Sequence, residues 1–349
     1  MTTVPVGTAS DAAAERLRRP TRVRLLWFAA SLAALALIVA ASVAIGSRDV
    51  PLPAIVAALG GGGDGLDAAA VQTRVPRTVL ALVVGAALGV SGAVMQGVTR
   101  NPLADPGILG INQGASLAIV AGIATVGLTS ATQYAWVAIA GAAVSAVVVY
   151  TIGSLGRGGA TPLKLALAGA ATTAVFSSFI TAIVLPRNDI NSVVRSWEIG
   201  GVGGARWDVL TQVAPFLVVG LLLSLGSARA LNSLALGDDL AAGLGERVAL
   251  ARITAALGAV MLCGAATAAA GPIAFVGLVV PHLCRLLVGV DHRWLLPYSA
   301  VVGAALLAAS DVLGRIVARP AELDVGIVTA VVGAPVFIAI VRRRKVREL

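Results

Sequence analysis

The residues of this sequence that could do chemistry are few, and most are arginines. Arg74 and Arg77 enclose a Val-Pro pair directly before a long uncharged run, and Arg315 and Arg319 lie just beyond another such run. Guanidinium groups at these positions can bind carboxylates through two parallel hydrogen bonds. They can equally anchor the ends of helices by extending to water. The residues alone leave both roles open.

The other ionisable groups do not form a catalytic or metal-binding set. Asp311, Glu322 and Asp324 fall near the end of an apolar run, whereas residues that relay protons in transporters lie near the middle of the membrane. His282 and His292 lie on either side of a predicted turn with no third ligand close in sequence, and a zinc site needs three or four. We therefore predict neither a proton relay nor a metal site.

The sequence also contains no loop that could hold nucleotide phosphates. The glycine-rich stretch 60–65 lacks the Gly-Lys-Ser/Thr ending that places a lysine and a magnesium ligand at the phosphates. We predict that the chain is not an enzyme and binds no cofactor. ATP and magnesium, if they supply energy, must be held by another chain.

The elements that position these residues are predicted to lie in a membrane. Of the 349 residues, 58% are hydrophobic and only 12% are charged, which leaves too little polar surface for a water-soluble protein of this size. The formal charge of +9 comes mostly from short clusters of Lys and Arg beside apolar runs, a pattern that reflects membrane topology rather than nucleic-acid binding.

Uncharged runs long enough for a bilayer predict an all-α protein with ten transmembrane helices. The run 106–156 is too long for one helix and is interrupted by the turn-forming stretch 127–133, and the run 253–284 is interrupted at Ala270-Gly271-Pro272. Each of these two runs therefore predicts two spans. Six further runs predict one span each: 25–47, 78–99, 165–186, 209–228, 294–310 and 325–341.

An even number of spans puts both termini on one side of the membrane. Placing them in the cytoplasm leaves most Lys and Arg residues there, as the positive-inside rule requires. The predicted organisation is a disordered cytoplasmic lead (1–24), a transmembrane domain (25–342) and a basic cytoplasmic tail (343–349), in the cytoplasmic (inner) membrane. Arg74, Arg77 and Arg315 then lie at the outer face, and the loop 229–252 lies at the inner face.

This inner loop is predicted to form two short amphipathic helices separated by glycine. Such a helix can seat its leucines in a groove on another protein, although a helix that lies along the membrane surface is an alternative. The residues concerned are Leu234, Leu236, Gly237, Leu240, Leu244 and Gly245.

Several motifs make residues 70–342 resemble the permease subunits of the iron-siderophore and cobalamin ABC importers. The motifs are Arg74-Val75-Pro76-Arg77, the stretches 92–96, 100–106, 234–237 and 271–278, Pro281-His282, and the stretch 333–337. The resemblance implies a type II ABC importer permease fold with ten helices.

The resemblance also implies partners and sites. It implies that Arg74, Arg77 and Arg315 face acidic residues of an extracytoplasmic binding protein, and that the loop 229–252 couples to two ABC ATPase subunits. It implies a second permease copy in a homodimer, or a homologous permease in a heterodimer. Candidates for the translocation path are Gln96, Asn101, Trp197, Gly200 and Gly201.

The expected function is therefore the import of ferric siderophores across the membrane by alternating access. Cobalamin and haem are alternative cargoes within the same family. An ion-coupled secondary carrier is the alternative from another class, but it would need ionisable groups in mid-membrane, and the predicted spans hold essentially none.

Overall fold

The computed structural model describes residues 20–62, 65–156 and 161–344, and these residues are helical without any strand. A 3-10 turn, Pro106–Leu109, precedes α4. The α-helices of the described residues are α1 (Thr21–Ala44), α2 (Leu52–Leu59), α3 (Leu66–Val98), α4 (Ile111–Val126), α5 (Ala131–Ser154), α6 (Pro162–Val184), α7 (Asn188–Ile199), α8 (Trp207–Gly226), α9 (Ala228–Leu234), α10 (Asp238–Gly243), α11 (Val248–Ala270), α12 (Val276–Val288), α13 (His292–Val317) and α14 (Val325–Arg344).

Each predicted span coincides with one helix, and the all-α prediction is confirmed. Within the described ranges, seven helices are long and apolar enough to cross a membrane, while α4, α12 and α14 have shorter apolar stretches. The predicted interruptions are also confirmed, since α4 ends at Val126 before the left-handed Gly127 and α11 ends at Ala270. The total of ten crossings stays a prediction.

Two helices extend beyond the predicted limits of the transmembrane domain. Helix α1 begins at Thr21, before the predicted limit at residue 25, and α14 continues to Arg344, beyond the limit at 342. Residues 1–19 of the predicted lead and 345–349 of the predicted tail lie outside the described residues. The predicted disorder of the lead therefore falls largely outside the part of the chain that the structure covers.

The second predicted span begins much earlier than the sequence suggested. Helix α3 starts at Leu66 and continues through Pro76, so that Arg74 and Arg77 lie on a helix rather than in a loop before it. Its first turns are stabilised by packing, because Ala68 and Val71 bury their side chains against the short helix α2. This apolar contact offsets the cost of a proline inside a helix.

Small residues bring α3 into direct backbone contact with α12 and α13. A methyl group at Gly85 would collide with the carbonyl of Gly303, and one at Gly92 would collide with the carbonyl of Gly277. Such approaches allow dense packing where lipid, not water, surrounds the bundle. The core of the described structure is therefore centred on α3, the most deeply buried of the seven long apolar helices.

Candidate functional site

At the predicted outer end of the bundle, one buried carboxylate holds two arginines. Asp311 on α13 is fully buried and accepts hydrogen bonds from Arg77 Nε and Nη2 at 3.0 and 2.8 Å. Arg315 Nη2 forms an ion pair with the other carboxylate oxygen at 2.9 Å. Arg77 also binds Glu322, which supplies the second negative charge. The arrangement joins α3, α13 and the segment before α14.

Arg315 and a further arginine, Arg74, bind the end of α1. Arg315 Nη1 donates to the carbonyls of Ser42 and Ile45 at 2.9 and 2.8 Å, and Arg74 Nη1 donates to the carbonyl of Ala44 at 2.8 Å. The last carbonyls of a helix lack partners within the helix and carry partial negative charge. Guanidinium groups are therefore well suited to this position, and they fasten α1 to the bundle.

The three predicted docking arginines are thus brought together, but they are not free. Arg315 is 1% exposed and Arg74 is 6% exposed. Arg315 binds a carbonyl of α1 and Asp311, and Arg74 donates to a carbonyl of α1. Both guanidinium groups are therefore buried and engaged within this chain. Their docking to a binding protein stays a prediction.

A cavity of about 550 Å³ lies at the same end of the bundle. It is bounded by the end of α7, the start of α5, the junction of α11 with α12 and the residue before α14. The residues around it are Tyr134, Ser192, Trp197, Gly201, Gly203, Gly204, Ala269, Ala270, Gly271 and Asp324. Two predicted path residues, Trp197 and Gly201, therefore line a real cavity.

Part of the cavity lining needs glycine because the backbone segments there approach closely. Gly200 has φ +74° and lies against the backbone of Pro272, while Gly201 N donates to the carbonyl of Ala270 at 2.8 Å. The Gly200 carbonyl in turn accepts from Gly326 N at 3.0 Å. Gly200 is consequently a packing residue, and only Gly201 of this predicted pair faces the cavity.

Asp324 is the charged residue of the cavity that the sequence analysis did not select. Its Oδ1 would lie 2.6 Å from a Cβ at Gly201, so the carboxylate lies beside this glycine. Burial raises the pKa of Asp324, and the attraction of Arg77 opposes this rise. No ion pair among the described residues includes Asp324, because Arg77 is bound to Asp311 and Glu322.

At the opposite, predicted inner end, α9 and α10 form the two short helices that the sequence predicted. Gly237, with φ +108°, makes the break between them, and Gly245, with φ +86°, ends the second. A side chain would strain both positions. The two-helix prediction is confirmed.

The leucines of this hairpin divide into two groups. Leu236, Leu240 and Leu244 are 57–68% exposed and form an apolar surface on the inner end. Leu234 is fully buried in the core cluster of the bundle. The prediction that Leu234 is presented to a partner is therefore wrong, because the end of α9 turns this side chain inward.

Three polar links that sequence reasoning missed attach the hairpin to the bundle. Asn232 on α9 donates to Asp291, the residue that caps α13, at 2.7 Å. Asp238 at the start of α10 binds Arg100 and also Arg252 on α11, the latter at 2.8 Å. These residues give no periodic signal, and opposite charge could have suggested only the two links that Asp238 makes with Arg100 and Arg252.

The remaining predicted path residues lie apart from the cavity. Gln96 is buried within the bundle, where Nε2 donates to the carbonyl of Gly277 at 3.3 Å. Asn101 uses Oδ1 to accept from Leu103 N at 2.9 Å and so stabilises a turn. The structure does not bring these two residues together with Trp197 and Gly201.

Asp105, which lies between two predicted spans, packs against another part of the bundle. It follows the predicted second span, but it lies against Gly277 at the start of α12. Its Oδ1 accepts from Gly107 N at 2.8 Å and caps the 3-10 turn. This carboxylate therefore stabilises the local structure of the turn.

Comparisons with known proteins agree on one kind of transporter. The model of the FecCD transport family matches residues 34–343. The ferric enterobactin transport system permease protein FepD of Escherichia coli K12 is 45% identical over 310 residues, covering 87% of this chain and 91% of FepD. The iron(3+)-hydroxamate import system permease protein FhuB of Bacillus subtilis 168 is 45% identical over 273 residues, covering 78% of this chain and 71% of FhuB.

A solved structure agrees with these sequence matches. A metal-chelate type ABC transporter in an inward-facing conformation superposes with a TM-score of 0.79 at 26% identity, and the match covers 92% of this chain and 99% of the other.

Proposed function

Because this chain belongs to the FecCD transport family, we propose that it is the permease subunit of an ATP-binding-cassette importer that carries ferric siderophores across the cytoplasmic membrane. The relatives that support this cargo are permeases for ferric enterobactin and iron(3+)-hydroxamate. Cobalamin and haem are the alternative cargoes within such systems. The chain itself has no nucleotide-binding motif, so a partner ATPase holds ATP and magnesium and performs the hydrolysis.

The observation that carries the proposal is the exposed leucine surface on α10 and on the residues before and after it. Hydrogen bonds connect this hairpin to three parts of the bundle. Leu236, Leu240 and Leu244 are available to a groove on the ATPase. Asn232 and Asp238 connect the same hairpin to α13, to α11 and to Arg100. Movement of the ATPase would therefore reach the helices that surround the path.

The transport cycle follows from this connection. Substrate delivered to the outer end would occupy the cavity beside Trp197, and closure of the ATPase pair would shift the hairpin and change which side is open. One chain supplies one such hairpin, so two ATPase contacts need two permeases. A homodimer is the simplest assembly, and a heterodimer with a homologous permease also satisfies it.

Topology and docking complete the proposal. Both termini lie in the cytoplasm, with the lead (1–24), the permease domain (25–342) and the tail (343–349) as its parts. The binding protein meets the outer end, where Arg77 retains 12% exposure while Arg74 and Arg315 shape the surface from beneath. Charge pairing at such a rim sets encounter and orientation more than affinity.

Uptake of radiolabelled ferric chelates tests the function. Cells that lack the gene should lose uptake of a ferric siderophore, and the intact gene should restore it, in a manner that depends on ATP rather than on the ion gradient. Uptake that survives ATP depletion but collapses with the proton gradient would favour the secondary carrier instead.

Labelling of introduced cysteines tests the orientation. Cysteines at Arg206 and at Leu240, which lie at opposite ends of the bundle and are exposed, should react with an impermeant reagent from opposite sides. Reaction of both from the same side would contradict the proposed topology.

A further inference from the structure

The short helix α2 has an exposed apolar face that no other part of the described structure covers. Leu52 is 69% exposed, Val56 is 63% exposed and Leu59 is 56% exposed. These residues follow one another at intervals of four and three, which places their side chains on one side of a helix. Large apolar side chains that are exposed together indicate a surface that contacts protein or lipid.

The other sides of α2 differ from this face. Ile55 and Ala58 are buried, and they pack against α3 and the end of α1. Ala57 is exposed, but a helix turns by about 100° per residue, so Ala57 lies about 100° or more from each of the three large residues. The helix therefore has one side against protein, one side with large apolar residues and one side with alanine.

The contacts of α2 define its level along the bundle. Helix α1 has 24 residues and is about 36 Å long, which is enough to cross a hydrocarbon core of about 30 Å. Its last two residues, Val43 and Ala44, pack against the cluster that contains Ile55 and Ala58. Helix α2 therefore lies where α1 leaves the hydrocarbon core, at the level of the lipid headgroups.

The neighbouring surface of the bundle is in contact with lipid. Only 6% of the most apolar stretch of α1 is buried, so nearly all of its surface faces the bilayer. Because α2 packs on the end of α1, its exposed face borders this lipid-facing surface.

The composition of α2 favours lipid over a soluble protein as the partner of this face. Interfaces between soluble proteins have a polar rim around an apolar centre. Helix α2 contains no polar or charged side chain. The nearby charged pairs, Arg48 with Asp67 and Arg319 with Asp49, involve residues before and after the helix but none within it.

We infer that α2 is an interfacial anchor, which lies in the headgroup layer of the bilayer and inserts Leu52, Val56 and Leu59 among the lipids. Its partner is the lipid surface itself. The inference requires only that the chain spans a membrane, and it is independent of the cargo.

This anchor acts on the start of α3. Ala68 and Val71, on the first turns of α3, pack against α2. Both lie within three turns of Arg77, which binds Asp311. Contact between α2 and lipid therefore holds the beginning of α3, and the charged cluster below it, at a constant level relative to the membrane surface.

The test uses the full-length permease in vesicles of phosphatidylcholine and phosphatidylglycerol. A cysteine is introduced in Val56→Cys and, as the matched control one residue further along the same helix, in Ala57→Cys. Each is labelled with an environment-sensitive fluorophore. The native Cys263 and Cys284 are buried, and the unsubstituted permease treated in the same way gives the background.

Two quenchers, a nitroxide-labelled lipid and iodide on both sides of the bilayer, report the surroundings of each label. We expect the label in Val56→Cys to lie about 5–10 Å into the boundary between headgroups and acyl chains, quenched by the nitroxide and shielded from iodide. The label in Ala57→Cys should be quenched by iodide. If Val56→Cys does not fold, Leu59→Cys probes the same face.

Three outcomes would overturn the inference. Equal access of iodide to both labels would show that the apolar face lies in water. Shielding of the Val56→Cys label that appears only after an extracytoplasmic binding protein is added would show that the face binds protein. Equal quenching of both labels by the nitroxide would show that α2 is immersed in the bilayer and does not lie at its surface.

Discussion

Asn232 on α9 donates a hydrogen bond to Asp291 at 2.7 Å and so joins the leucine-bearing hairpin to the start of α13. Its side-chain oxygen also accepts from the backbone N–H of His292 at 2.9 Å. Helix α13 carries Asp311 and Arg315 at its other end. One helix therefore connects the hairpin with the charged cluster at the opposite end of the bundle.

Removing this link should separate ATP hydrolysis from transport. In Asn232→Ala the hairpin can still engage the ATPase, but movement passes less completely to α13. We expect ATPase activity to remain. Transport per ATP should fall by on the order of tenfold, a factor that corresponds to a typical coupling free energy between two sites. Both rates are measured in proteoliposomes.

Asn191→Ala is the matched control for that variant, because Asn191 lies on α7 and bonds only to exposed Arg195. It should transport at the wild-type rate. Equal loss of ATPase activity and transport in Asn232→Ala would show that the hairpin fails to engage at all, contrary to the expectation.

Substitutions in the two groups of hairpin leucines should have different effects. Leu240→Asp alters an exposed side chain and should abolish binding of the ATPase without lowering the stability of the permease. Leu234→Ala empties a buried site and should cost about 2–5 kcal/mol of stability. Co-purification with the ATPase and thermal unfolding in detergent distinguish these effects. If Leu240→Asp bound the ATPase normally, the hairpin would not be the contact with the ATPase.

Loss of the buried carboxylate should destabilise the bundle. Asp311→Ala leaves Arg77 and Arg315 without their shared partner, and breaking a buried pair in this way costs about 3–5 kcal/mol. Thermal unfolding of the purified permease measures the loss. Asp67→Asn removes an exposed pair with Arg48 and should cost about 0–1 kcal/mol. Similar stability of the two variants would argue against a structural role for the cluster.

The contact between α3 and α12 should not tolerate a methyl group. In Gly92→Ala the new carbon meets the carbonyl of Gly277, which is backbone and can move only if the helices separate. We expect a loss of about 3 kcal/mol, at the upper end of overpacking costs. Gly226→Ala, where nothing lies within 4 Å, is the control and should be neutral or stabilising. The measurement is the same unfolding assay.

The sequence predicted the helices well because hydrophobic length is a strong signal in membranes. The interruption at Ala270-Gly271-Pro272 and the glycine break at Gly237 were found because glycine and proline act on the backbone locally. The start of α3 was missed, since its first turns carry charge and depend on packing against α2.

The candidate site was predicted less completely than the fold. Trp197 and Gly201, predicted as path residues, line a cavity, and Asp324 joins them only through the chain reversal before α14. Their part in a translocation path stays a prediction. Arg74 and Arg315 were expected at one end of the bundle, where the structure brings them together, yet their burial depends on the carbonyls of α1, far away in sequence. Which face a polar residue turns to its neighbours is decided by tertiary packing, and a single sequence does not record it.

The attachment of α1 has a practical consequence for experiments on binding-protein docking. This helix is barely buried along its length, and the end that carries Ser42 to Ile45 is held by Arg74 and Arg315. A charge reversal at Arg315 removes its hydrogen bonds to the end of the first helix as well as changing the charge of the cluster. Impaired docking in such a variant would therefore have two explanations, a displaced first helix and a lost ion pair. Arg77→Lys keeps the charge and leaves the contacts of α1 unchanged, so it is the more specific probe.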